Sequence, residues 1–246
     1  MGKTTLEPVE HTGRTVLIGA AALLAALVFI LTDAEDQYWP HLLSKPVPVL
    51  VMALWLVLRP TKGRYQWAVI SGLLLSALGD VLLSWSDETF LLGLVAFLLG
   101  HVAYILAFLQ DSRGIYPLRA LLVFGYGALA YGYLATVGDL GGMAIPVLAY
   151  VIVICTMLWR AASRVGAAGV WPRSAWAGLA GAAFFVLSDT LLALGRFADL
   201  QPFGPQAVIL TYWIGQLGIT LSAAWQQASQ WPSASGQKPV KQSFHA

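Results

Sequence analysis

Two aspartates stand inside long apolar runs of this sequence, in Leu78-Gly79-Asp80-Val81-Leu82-Leu83 and in Leu187-Ser188-Asp189-Thr190-Leu191-Leu192. An aspartate near the centre of a membrane helix costs about 2.5–3.5 kcal/mol on insertion scales, so a chain that keeps two has a use for them. A carboxyl pair in such a place can do two kinds of work. It can run acid/base chemistry, one member giving a proton and the other taking one. It can instead relay protons or bind a cation in a transporter or lipid-binding protein, with no bond broken. Other polar side chains in the apolar runs extend the set. His101 and Tyr104 share a helix face with Phe97 and Phe108 by i, i+3, i+4 spacing, and Tyr212 and Gln216 lie one turn apart. Ser76 and Ser84 flank Asp80 at i−4 and i+4, where back-bonding to their own helix is the simpler role.

Positioning these groups takes membrane helices. The chain has 246 residues, 58% hydrophobic and 11% charged, with a mean hydropathy of +0.72. A soluble domain is roughly 45–50% apolar and about 25% charged, so this excess cannot be buried in one soluble core. Apolar runs of about 20 residues, each long enough to cross ~30 Å of hydrocarbon, point to an all-α polytopic membrane protein with eight transmembrane helices. The expected spans are 15–32, 46–58, 67–84, 90–110, 117–136, 143–159, 174–195 and 207–227. Residues 1–14 form a polar N-terminal segment, 15–227 the transmembrane domain, and 228–246 a tail whose Ser, Pro, Gly and Lys content predicts disorder. The first span is longer than a signal-peptide core and is expected to be retained.

Loop charges orient the bundle. Lys3, Arg14, Arg59, Lys62, Arg64, Arg113, Arg119, Arg160, Arg164, Arg173, Lys238 and Lys241 fall on one side, and Lys45 and Arg196 alone on the other. Cytoplasmic loops retain positive charge, so both termini are expected in the cytoplasm and both aspartates toward the opposite surface. In that leaflet Lys45 and Arg196 are the cations available to a phosphate-bearing ligand. The two aspartate motifs, together with Pro48-Val49-Leu50 and Pro146-Val147-Leu148, also form a faint internal repeat with a shift of four spans, which predicts two parallel four-helix halves meeting at the aspartates.

Several function classes drop out. A formal net charge of +2 with scattered basic residues gives no nucleic-acid surface. Cys155 is the single cysteine, which excludes an internal disulfide and a CxxC metal site. No P-loop, nucleotide fingerprint, GxSxG or HExxH motif occurs, and the spans offer a zinc ion only His101 and Cys155. Chemistry free of metal and cofactor is the expectation.

Taken in order, Lys45-Pro46, Gly79 through Leu83, Gly93 through Phe97 to His101 and Tyr104, Phe185 through Ser188 and Asp189, and Thr211-Tyr212 with Gln216 resemble the YhhN-like family of membrane proteins. Its characterised animal members are lysoplasmalogenases. The resemblance runs from about Lys45 to Gln216. It implies an eight-helix fold and a membrane-embedded hydrolase that cleaves the vinyl-ether bond of a lysophospholipid, giving a fatty aldehyde and a glycerophospho head group. The implied partners are that lysolipid and the surrounding membrane lipids. In a bacterial cell the location would be the inner membrane, with the active site toward its non-cytoplasmic face. Such a reaction needs one acid and one carboxylate base, in parallel with the carboxyl pairs of glycosidases. Asp80 and Asp189 are the catalytic candidates, with Lys45, His101, Tyr104, Ser188, Tyr212 and Gln216 as substrate-binding or supporting residues. Which aspartate is acid and which is base stays open at this level.

Overall fold

Prolines and glycines punctuate the chain where its helices begin and end. In the computed structural model, residues 20, 23–32, 38–60 and 62–229 are described. The helices are α1 (residues 23–31), α2 (Tyr38–Ser44), α3 (Val47–Val57), α4 (Arg64–Trp85), α5 (Phe90–Asp111), α6 (Pro117–Val137), α7 (Ala144–Ser163), α8 (Pro172–Ala198) and α9 (Pro205–Ser229). Two short 3-10 turns, Asp87–Thr89 and Gly141–Met143, lead into α5 and α7. Among the described residues there is no strand. Pro48, Pro117 and Pro172 occupy first-turn positions, where a missing N–H costs least. Asp199 closes α8 in the left-handed conformation, with φ of 52°, and the Leu200 N–H that follows it donates to Leu194 O at 3.1 Å.

Among the described residues, seven helical segments are long and apolar enough to cross a membrane: Tyr38–Val57, Arg64–Trp85, Asp87–Asp111, Pro117–Val137, Gly141–Ser163, Pro172–Ala198 and Gln206–Gln226. They correspond to the second through eighth expected spans. The start of the expected first span, 15–32, lies outside the described residues, as do the N-terminal segment 1–14 and nearly all of the tail. The described part of that first span, α1, leans on the bundle through Phe29, whose ring lies 4.0 Å from His41 and 5.7 Å from Trp213. The second span differs from its expected bounds, 46–58. It starts at Tyr38 and is broken at Lys45-Pro46, so the short helix α2 supplies the missing length and the break sets Lys45 at a bend.

The packing is organised around two close helix pairs. In α4 and α5, Gly72 makes room for the Tyr104 ring and Gly79 for the Phe97 ring, while Gly100 rests near Gly72 O and Ser76 Oγ. In α8 and α9, an added Cβ on Gly181 or Gly218 would meet the partner helix at 2.6 Å, so these backbones touch. Small residues let helices approach closely where lipid gives no hydrophobic drive for association. Around these pairs sit α7, which packs on α5, α6 and α8, and α6, the least buried span. A core of Val69, Leu73, Phe108, Met157, Phe185 and Ile219 fills the centre.

The two ends of the bundle differ. At the Trp85 end, Tyr38, Trp39 and Trp85 form an aromatic cluster, with the Tyr38 hydroxyl donating to Trp85 O at 3.0 Å. Such rings favour the level of the lipid head groups. At the opposite end Arg164 is fully buried. It donates to Asp111 Oδ2 from Nε at 2.9 Å and from Nη2 at 2.7 Å, and reaches Ser174 Oγ and Ser222 Oγ at 2.7 and 2.8 Å. Tyr65 joins Ser222 at 2.8 Å, and Gln66 donates to Ala223 O. Asp111 falls one residue beyond the expected end of its span, and Arg164 was expected in a loop. The structure draws both into the bundle.

Candidate active site

Asp80 and Asp189 converge. Both line one cavity of about 600 Å³ in the half of the bundle nearest Trp85, bounded by α4 through α9 and by Lys45. Asp80 is 1% exposed, whereas Asp189 is only partly buried and reachable from the cavity. The carboxylates are close enough to interact electrostatically, and Lys45 is the charged neighbour of Asp80. They sit differently on their helices. Asp80 is five residues from the end of α4 and Asp189 nine from the end of α8, because α8 outruns the expected span by a turn.

Each carboxylate accepts a hydrogen bond from one tyrosine. Tyr212, on α9, donates to Asp80 Oδ2 at 2.8 Å, and Tyr150, on α7, donates to Asp189 Oδ2 at 2.6 Å. Hydrogen bonds to a charged group contribute about 1.5–3 kcal/mol, enough to hold each carboxyl in one orientation. The rings are locked by packing. Phe97 and Phe185 meet Tyr212 edge-on at 5.7 and 5.3 Å, and His101 meets Tyr150 at 5.3 Å. Tyr150 escapes a reading based on sequence, since an amphipathic tyrosine in an apolar span carries little signal by itself.

Of the other expected residues, Lys45, Ser188 and Tyr212 line the cavity with the aspartates. Lys45 Nζ donates to Ser84 Oγ at 2.9 Å, so Ser84 serves the lysine rather than only its own helix. Ser188 Oγ donates to Val208 O at 2.8 Å and ties α8 to α9. His101, Tyr104 and Gln216 lie behind the wall instead. Tyr104 donates to Gln216 Oε1 at 2.6 Å, and His101 is packed against Phe185 at 4.6 Å with neither ring nitrogen hydrogen-bonded. These three brace the site without facing the cavity.

At the mouth, Arg196 pairs with Asp87 at 2.9 Å and lies over the Phe90 ring at 4.9 Å. Both charged residues line the cavity and are exposed there. The remaining walls are mostly apolar, from Leu83, Leu94 and Phe97 to Val147, Val151 and Ile154. Among the described residues, no group of three or more His, Cys, Asp or Glu side chains could hold a metal ion. The arrangement suits an amphiphile, with charge at the mouth, carboxyl groups below it and hydrocarbon walls beyond.

A membrane bundle carrying a carboxyl pair on such a cavity defines the class of protein, and comparison with known sequences narrows it. Residues 39–223 match the YhhN family, and the chain belongs to it. It is 35% identical over 204 residues to the human lysoplasmalogenase TMEM86B, covering 82% of this chain and 83% of that protein. The rat lysoplasmalogenase TMEM86B is 34% identical over 201 residues, covering 80% and 79%. A lysoplasmalogenase of Mycobacterium tuberculosis (strain CDC 1551 / Oshkosh) is 30% identical over 187 residues, covering 70% of this chain and 66% of its own length. No solved structure matches.

Proposed function

We propose that this chain is a membrane-embedded hydrolase that cleaves the vinyl-ether bond of lysoplasmalogens, releasing a fatty aldehyde and a glycerophospho head group. The observation that carries this reading is the meeting of Asp80 and Asp189 on one largely apolar cavity, in a family whose similar members bear the name lysoplasmalogenase. The vinyl ether of a lysolipid lies just below its glycerol. A carboxyl pair beneath a charged mouth meets that bond while the tail stays among apolar walls.

The chemistry needs only these carboxyls and water. The acid gives its proton to the alkenyl carbon remote from oxygen, leaving an oxocarbenium ion. Water adds to the adjacent carbon as the carboxylate takes its proton, and the product is a hemiacetal. The base then returns that proton to the glycerol oxygen as the C–O bond breaks, while the former acid recovers a proton from the hemiacetal hydroxyl. One water is consumed and both carboxyls return to their starting states. The two carboxyls are each other's charged neighbours, and Lys45 stands beside Asp80 rather than Asp189. This asymmetry supports Asp80 as the anion that activates water and steadies the cation, with Asp189 as the proton donor. Lys45 then serves Asp80 first, and the lipid phosphate falls to the exposed Arg196 at the mouth.

The same reading holds the bundle at eight spans with both termini in the cytoplasm, so the cavity opens toward the non-cytoplasmic surface. The loop-charge asymmetry supports that orientation. The two glycine-lined pairs α4/α5 and α8/α9, each bringing an aspartate on its first helix, support a pseudo-repeat.

The test is a mass-spectrometric screen of the purified protein against vinyl-ether, alkyl-ether and acyl lysolipids. Aldehyde release from the vinyl ethers alone is expected. Solute flux that follows a proton gradient, with all three lipids left intact, would replace the enzyme with a transporter.

A further inference from the structure

Below the carboxyl pair the cavity is too shallow for the substrate that the proposed function assigns to it. Its lining runs on α7 from Tyr150 to Cys155 and on α8 from Asp189 back to Val186, about 5–8 Å by helical rise. A lipid tail spans about 15 Å, half of the ~30 Å hydrocarbon core. Much of the tail must therefore leave the cavity sideways. The floor is no outlet, because an added Cβ on Gly127 would meet Cys155 Sγ at 2.5 Å, which shows how closely α6 and α7 are sealed there. Tyr126 also bonds Thr190 at 2.8 Å and ties α6 to α8.

One wall is open. Although α5 and α6 are consecutive, they barely touch, and their cavity-lining stripes stand apart: Phe90, Leu94 and Phe97 on α5, and Tyr126, Leu129, Ala130 and Tyr133 on α6. Leu129 lines the cavity and is still 77% exposed, so at this point the cavity is continuous with the outer surface of the bundle. Tyr126 and Tyr133, one turn to either side, are also exposed.

We infer that the α6 stripe Tyr126, Leu129, Ala130 and Tyr133 is the binding surface for the single hydrocarbon tail of the substrate, which passes over it from the cavity into the bilayer. This rests on the lysolipid reading. It makes the site open at the side, so a long tail is held partly by protein and partly by lipid, and Ala130 is the point where added bulk obstructs it.

The experiment uses the full chain in liposomes and a non-hydrolysable alkyl-ether lysolipid with a photoreactive diazirine midway along the tail. Labelling is expected on α6 between residues 126 and 133. Labelling confined to α7, α8 or the cavity mouth overturns the proposal. A second arm reads turnover of vinyl-ether lysolipids of graded tail length. Ala130→Trp should raise KM for long tails about tenfold, the size of a modest overpacking penalty where the indole obstructs the tail, with the effect fading as the tail shortens. Leu121→Trp, on an exposed part of α6 outside the cavity lining, should change nothing. An equal effect of Ala130→Trp at every tail length overturns the proposal. The photolabel needs no turnover, so its failure is distinct from failure of the hydrolase reading, which would appear as intact vinyl ether with the unsubstituted protein.

Discussion

Buried carboxylates occur at both ends of this bundle and are treated in opposite ways. Asp111 is met by a guanidinium at two points, and the surrounding Arg164, Ser174, Ser222 and Tyr65 bond one another across three helices and the α7 terminus. That charge is neutralised in place, and what it provides is helix registration. Asp80 and Asp189 each accept one tyrosine hydroxyl and face a shared cavity, with a single lysine close to one of them. Their remaining hydrogen-bonding capacity is open to a ligand. A satisfied polar knot holds helices together, and an under-satisfied pair on a cavity is what chemistry requires.

The sharpest way to break this contrast is to neutralise the cavity carboxyls. Asp80→Asn and Asp189→Asn should each cut kcat/KM for a vinyl-ether lysolipid about 10³-fold, the middle of the range for loss of a general acid or base. Thermal unfolding in detergent should stay close to that of the parent protein. Near-full turnover by either variant would remove the pair from the mechanism.

Arg164→Met should do the reverse. It strands the Asp111 carboxylate, and breaking a buried ion pair costs about 3–5 kcal/mol, which would appear as a lower unfolding midpoint and yield. The protein that remains folded should keep its kcat. Loss of kcat at unchanged stability would mean that the knot also serves the reaction.

Tyr212→Phe and Tyr150→Phe are expected to fall between these extremes. Each removes one hydrogen bond to a carboxylate, so kcat should drop about 10- to 100-fold with KM nearly unchanged. The smallest effect is expected for His101→Phe. Its ring is buried with both nitrogens unpartnered, so an apolar ring of similar shape should leave stability within about 1 kcal/mol and turnover within about threefold. A large loss of kcat would promote His101 from brace to participant.

Much of the comparison was legible in the sequence, on one side of it. Asp80 and Asp189 announced themselves by their cost inside apolar runs, and Lys45, Ser188 and Tyr212 do line the cavity with them. The far end was not legible, because Asp111 and Arg164 sit where a hydropathy reading ends one span and begins a loop. Long-range pairing across 53 residues leaves no periodic trace. The same limit hid Tyr150, whose role depends on where α7 meets α8. His101, Tyr104 and Gln216 showed their polarity but not their direction, since helix spacing fixes a face and leaves its neighbour unspecified. Lys45 was read as a candidate cation for a lipid phosphate from its charge and its place in the family motif, and the structure bonds it to Ser84 beside Asp80.

The central claim is that the cavity delivers a proton to carbon. Cleavage of a vinyl-ether lysolipid by the purified protein in D₂O tests it directly. The expected product is a fatty aldehyde bearing one deuterium on the carbon next to the carbonyl, in excess of any exchange into authentic aldehyde carried through the same incubation. Aldehyde released without that deuterium, or no aldehyde at all, would contradict it.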